Sequence, residues 1–179
     1  MFGDLQSIEV YSAFLRIKGQ IVIIPGQRLS EMVNRLNEDL ELFDAVTEPL
    51  SLSKEHPLIS PKEERIKVLK HSVIMVVPGS KDEANANKSL WKEKTKRHVV
   101  LNTSAFSLEA DIHLEPIKTA EDLEYLLRPN RVFFPVTGLG AMWVPSTGEK
   151  LFIRSDFALI NPASVVSYAL RDGFGDTVD

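Results

Sequence analysis

Four histidines, one Gly-Leu-Gly tripeptide, adjacent acidic pairs such as Glu63-Glu64 and Glu121-Asp122, and one basic cluster are the residues of this 179-residue chain whose types could do chemistry. His56, His71, His98 and His113 stand in no H-x-x-x-H spacing. They therefore form no sequence-local metal pair and read as strand or surface histidines. Gly138-Leu139-Gly140 begins like a dinucleotide-binding loop, but Trp143 stands where the third glycine belongs and no long crossover helix follows. It reads as a hairpin turn. Neither a phosphate-cradling G-x-x-x-x-G-K-[ST] loop nor a G-x-S-x-G nucleophile elbow occurs, and the serines have no evident base beside them. Glu63-Glu64 falls in an expected loop and Glu121-Asp122 at an expected helix start, where carboxylates serve solvent or the helix dipole better than a glycosidic bond. The R-x-x-x-R and [DN]-x-S-x-x-G pair of cyclic-dinucleotide binders is also missing.

The absence of cysteine removes disulfides, thiolate metal sites and cysteine nucleophiles. No catalytic, metal or cofactor-binding residue is assigned, and no cofactor is expected. What remains is the basic cluster, with Lys88, Lys92, Lys94, Lys96 and Arg97 around Trp91. Interleaved cations and an aromatic can meet an acidic partner, a nucleic acid or a membrane surface, whereas a solvated linker with Trp91 packed on a domain is the simpler reading. Trp91, Lys92, Lys94 and Arg97, with Arg28 from the first half, are the candidate partner contacts.

The bulk properties set the frame for these residues. Hydrophobic content of 44% and charged content of 26% suit a globular core. A net charge of −4 argues against general nucleic-acid binding, which calls for a basic surface. The first nine residues lack the basic and apolar regions of a signal peptide, and no apolar run approaches the roughly 20 residues of a membrane span. The chain reads as soluble and cytoplasmic.

Periodicity divides the sequence into short elements. Residues 10–17 and 20–24 read as a hairpin turning at Lys18-Gly19, with a bulge at Gly19 as the alternative. Ser30 is the expected N-cap of a helix with Met32, Val33 and Leu36 on its apolar face. Strands are expected over 40–46 and 65–77, separated by a polar loop that holds Pro57 and Pro61. In the second half, strands are expected over 98–108 and 110–114. A helix follows, opened by Thr119 and Asp122 in capping-box spacing and carrying Leu123, Leu126 and Leu127. Further strands are expected over 131–136, 141–144, 151–160 and 165–170.

The two halves align at an offset of 91. Leu15 meets Phe106, Ile17 meets Leu108, Ile21 meets Ile112, Pro25 meets Pro116, Leu36 meets Leu127 and Phe43 meets Phe134. The offset then falls to 84, where Val68 meets Phe152 and Pro78 meets Pro162. Ser12-Ala13-Phe14 and Ser104-Ala105-Phe106 match instead at 92, a one-residue conflict in the hairpin. The expected fold is α+β and mainly β: two tandem β-β-α-β-β units, possibly barrel-like, related by internal pseudo-twofold symmetry. The expected division is a first unit over 1–79, a charged linker or short helix over 80–97, a second unit over 98–171 and an acidic tail over 172–179. Units of this size gain by sharing a buried face.

Phe14, Ile17 and Gly19, followed by Arg28-Leu29-Ser30 with Asn34 four residues on, resemble a bacterial domain family of unknown function built from small β-rich units. The resemblance implies a small barrel-like or Sm-like unit with no established activity. It fades in the second half, where Thr119-Ala120-Glu121 replaces Arg-Leu-Ser.

The sequence thus points to a non-enzymatic interaction or scaffold module that binds a protein partner or self-associates. The alternatives are a small barrel that binds a ligand or nucleic acid through the basic linker, and an enzyme with an unrecognised site. On the nucleic-acid reading, the chain is expected to be retained on a polyanion column at low salt and released once Lys92, Lys94 and Arg97 are changed to Glu. Absence of retention at low salt excludes that reading.

Overall fold

Two tight hairpins are set by hydroxyl groups at their turns. The Ser12 hydroxyl accepts from the Leu15 backbone N–H (3.2 Å), and the Thr103 hydroxyl accepts from that of Phe106 (2.9 Å). Local side-chain bonds of this kind give the backbone an alternative to continuing the ladder, so the chain reverses. The hairpins join β1 (Asp4–Tyr11) to β2 (Leu15–Ile23), and β6 (Thr95–Thr103) to β7 (Phe106–Leu114). The computed structural model describes residues 3–50, 61–79, 94–114, 121–128, 133–145 and 151–171.

The remaining strands are β3 (Asp39–Pro49), β4 (Glu63–Leu69), β5 (Met75–Pro78), β8 (Phe134–Trp143), β9 (Phe152–Ile160) and β10 (Val165–Arg171). All pair antiparallel in one ten-stranded sheet, in the order β10-β6-β7-β8-β9-β5-β1-β2-β3-β4. The helices are single turns or little more: α1 (Leu29–Val33) and α2 (Glu121–Leu126). No helix among the described residues is long and apolar enough to cross a membrane.

This overturns the expected α+β fold of two β-β-α-β-β units. The protein is nearly all β, its strands form one sheet, and each half supplies five strands. No ladder among the described residues closes either half on itself. Pseudo-twofold symmetry fails too. A twofold would pair equivalent strands from the two halves, whereas the join is β5 with β9, a head-to-tail contact.

Within the sheet a five-strand order recurs, as β5-β1-β2-β3-β4 and β10-β6-β7-β8-β9. Its registers are superimposable. An offset of 91 carries Asp4↔Ile23 in the first hairpin onto Thr95↔Leu114 in the second. It also carries the bulge between Lys18 and Gln20 onto the one between Glu109 and Asp111. Opposite each bulge stands a residue with positive φ, Asp44 (51°) and Gly138 (60°). The 3-10 turns Lys70–Ser72 and Pro162–Ser164 correspond at an offset of 92.

Several local expectations are corrected. Lys18-Gly19 is not a turn, and the alternative of a bulge at Gly19 holds: β2 runs through it with a register shift there, because the reversal is already made at Ser12. Gly138-Leu139-Gly140 lies inside β8, where the positive φ of Gly138 bends a continuous strand. The expected strand 65–77 is broken into β4 and β5 by the turn at Lys70–Ser72. Arg28, not Ser30, is the N-cap of α1, and its backbone N–H donates to the Glu31 carboxylate (3.4 Å). Thr119 lies outside the described residues.

Two hydrophobic clusters lie against the sheet, and each draws on both halves. Val99, Leu101, Phe106, Leu108 and Ile112 form one with Tyr11, Ile74 and Met75 from the first half. Ile8, Val10, Leu29, Val33, Leu40 and Leu42 form the other with Phe133, Phe157 and Leu159 from the second. Asn161 fastens the exchange. Its amide Nδ2 donates to the carbonyls of Val73 (2.8 Å) and Lys70 (3.2 Å), and its backbone N–H donates to Ile74 (2.9 Å). Asn161 is buried at 6% exposure, so losing its side chain takes this donor from the Val73 carbonyl, while the Lys70 carbonyl still accepts from the Val73 backbone N–H (3.1 Å). Asn161→Ala is expected to cost about 1–3 kcal/mol in urea unfolding. An unchanged midpoint contradicts this role.

Candidate functional site

Recesses, polar clusters and sheet edges are the three kinds of place on this molecule that could act as a site. A mostly apolar recess of about 330 Å³ is lined by residues including Ser30, Asn34, Leu126, Phe133 and Pro135. The Asn34 amide donates to the Phe133 carbonyl (2.8 Å), while its Oδ1 is buried with no partner among the described residues. A second, more polar cleft of about 420 Å³ is lined by residues including Ser7, Glu9, Lys18, Gln20, Asp44 and Glu48. Partial burial works to raise the Glu48 carboxyl, but Arg16 (2.6 Å) and Lys18 (3.4 Å) outweigh it and hold the group below the usual carboxylate range. Beside it the Tyr11 hydroxyl donates to Glu9, and burial with that carboxylate pushes the phenol well above its ordinary value.

The place in the second half that corresponds to this cleft carries different chemistry. His98 on β6 faces Asp111 on β7, with Nδ1 3.0 Å from Oδ1, and Lys96 reaches the other carboxylate oxygen at 2.7 Å. Burial opposes ionisation of Asp111, yet these two partners hold its carboxyl below the usual range. His113 Nε2 lies 2.7 Å from the Thr137 hydroxyl. Neither recess described above is lined by any of these five residues, and both Asp111 oxygens are already engaged. The cluster acts as a cross-strand polar clasp over β6, β7 and β8. Among the described residues, no group of three or more His, Asp or Glu side chains is arranged to hold a metal ion.

The edges differ from both. β4 and β10 end the sheet, and among the described residues no strand pairs with their outer sides. Such an edge presents unpaired backbone N–H and C=O groups to any extended chain. Two of the β4 charges reach across to β3, Arg65 to Glu41 and Lys67 to Asp39 (3.2 Å). Yet both edges expose large apolar side chains: Leu69 at 51%, Val166 at 74% and Tyr168 at 41%. Phe14 and Leu36 are also exposed, but they stand in turns.

The residues singled out in the sequence fall apart from one another. Arg28 is exposed at the start of α1, between β2 and β3. Lys94 and Arg97 are exposed at the start of β6, with five strands between β6 and β2 in the sheet order. Trp91 and Lys92 lie outside the described residues. The sequence reading missed the pair of His98 and Asp111. It had split the hairpin at Glu109, whereas a turn at 104–105 places the two residues opposite each other.

No family model matches this chain, and neither the curated proteins nor the solved structures hold a significant match to it.

Burial lowers the His113 pKa below its ordinary value, opposed by Asp111 and assisted by Lys96 and Lys94. A histidine that is harder to protonate when folded contributes stability that is full above about pH 6.5 and declines as pH falls below it. The His113 ring is expected to titrate below 6.5 by NMR, and His113→Gln to flatten the loss of stability as pH falls below about 6.5. A midpoint at or above 6.5 contradicts this.

Proposed function

We infer that this chain is a non-enzymatic protein-interaction module that engages its partners along the open edges of its sheet. One observation carries the reading: both end strands combine outer backbone groups unpaired among the described residues with exposed apolar side chains, Leu69 on β4 and Val166 and Tyr168 on β10. Strand addition uses these two elements together, the backbone for affinity and alternate side chains for selectivity. The rest of the sheet acts as a rigid frame that holds the two edges apart.

The test is sedimentation velocity on the full chain across a wide concentration range, alongside binding of an extended peptide spanning residues 63–69. Concentration-dependent association or peptide binding is expected, and Leu69→Lys with Val166→Lys should weaken it at least several-fold. A chain that stays monomeric throughout and does not bind the peptide contradicts the reading.

A further inference from the structure

We propose that the edge partner is a second copy of this chain, joined head to tail with β10 of one copy pairing antiparallel with β4 of the next. The proposal rests on the edge reading above and makes it specific.

The junction between the halves pairs Met75 with Ile160 and Val76 with Leu159. β5 and β10 are the same position of the recurring five-strand order, and so are β9 and β4. The register of β5 on β1 over Met75–Pro78 and that of β10 on β6 over Ser167–Leu170 correspond when β5 is displaced by 92, so Met75 maps to Ser167; one residue back, Ile74 maps to Val166, which stands at the register shift between Val165 and Ser167. The register of β4 on β3 and that of β9 on β8 likewise correspond at 92, so Leu69 maps to Asn161 and Val68 to Ile160. The two free edges are therefore the counterparts of the two edges already joined at the centre of the sheet. A contact that is made once within the chain is offered again at its ends. Because the two surfaces differ, the assembly grows as a ring or an open filament rather than as a twofold dimer.

Carrying the internal register outward gives definite pairs. Ile74 lies beside Asn161, whose backbone N–H it accepts (2.9 Å), so Val166 falls opposite Leu69 of the next copy. These are the exposed aliphatic residues of the two edges, at 74% and 51%. Farther along, Arg171 falls opposite Glu64 and Tyr168 opposite Lys67, which sets opposite charges and a cation against an aromatic face. The apolar match and the charge match were not used to derive the register, and both agree with it. The outer contact is weaker than the inner one, since Lys67 and Ser167 stand where Leu159 and Met75 are fully buried. Association is accordingly reversible and concentration-dependent.

The cysteine-free chain permits a clean test. Leu69→Cys and Val166→Cys chains are made separately, oxidised alone and oxidised as an equimolar mixture. Both positions are exposed, so folding is expected to survive, and directly opposed strand residues lie within disulfide reach. The mixture is expected to give a cross-linked heterodimer and each variant alone only background. In sedimentation, Glu64→Arg should weaken association a few-fold, and Glu64→Arg combined with Arg171→Glu should restore it. Cross-linking of either variant with itself as efficiently as in the mixture overturns the head-to-tail arrangement and leaves edge pairing standing. Association without any of these cross-links places the contact elsewhere and overturns it as well. No association at any concentration overturns the self-pairing, and with no peptide binding the edge reading falls too.

Discussion

Everything in this structure depends on saturating backbone hydrogen bonds across one sheet, and that requirement is met most tightly at β5. β5 has only four residues, Met75–Pro78, yet it pairs with β1 on one side and β9 on the other. Its side chains alternate between the two cores, so Met75 and Ile160 belong to one cluster while Val76 and Leu159 belong to the other. An unpaired strand this apolar would leave buried donors and acceptors without partners, which the interior does not tolerate. The two halves are thus held by the same ladder that builds each of them.

The recurring register shows what is fixed and what is free. The bulges, the positive-φ residues opposite them, the hydroxyl-capped turns and the 3-10 turns recur in place, because each is a backbone requirement. The side chains on the solvent face do not recur. Where the first half has Ser7, Gln20 and Asp44, the second has His98, Asp111 and Gly138 at the corresponding positions. Asp44 adopts the left-handed conformation that glycine takes more easily, in keeping with the tolerance of Asp for that region. One frame therefore carries two polar surfaces.

Much of the strand content was legible, because alternation and β-branched runs announce it. β9 and β10 begin and end within a residue of their expected bounds. The connections were harder. Glycines at 19, 138 and 140 suggested turns, but they serve bulges and close approaches inside long strands; a Cβ on Gly19 would meet Leu42 and Ala45 at 3.2 Å. The true reversals rest on Ser12 and Thr103, which carry no Gly-based turn signature. The alignment at 91 coincided with the hairpin register, and the conflicting match of Ser12 with Ser104 dissolves because Ser12 and Thr103 are the equivalent turn hydroxyls. Beyond the helices the sequence frame fails. The ladders place Phe43 with Thr137 and Val68 with Ile160, not with Phe134 and Phe152. Insertions in the connections moved the frame, by three residues at Phe43 and by eight at Val68, and the matches to Phe134 and Phe152 arose by chance. The edges were legible least of all, since strand order depends on pairing between distant segments.

Hydrogen–deuterium exchange of the full chain, measured at low and high protein concentration, tests the central claim most directly. Amides of β4 and β10 should gain protection as concentration rises, while those of β2, β3, β7 and β8, paired on both sides within the chain, stay unchanged. Edge amides that exchange at the same rate at every concentration would contradict pairing between copies.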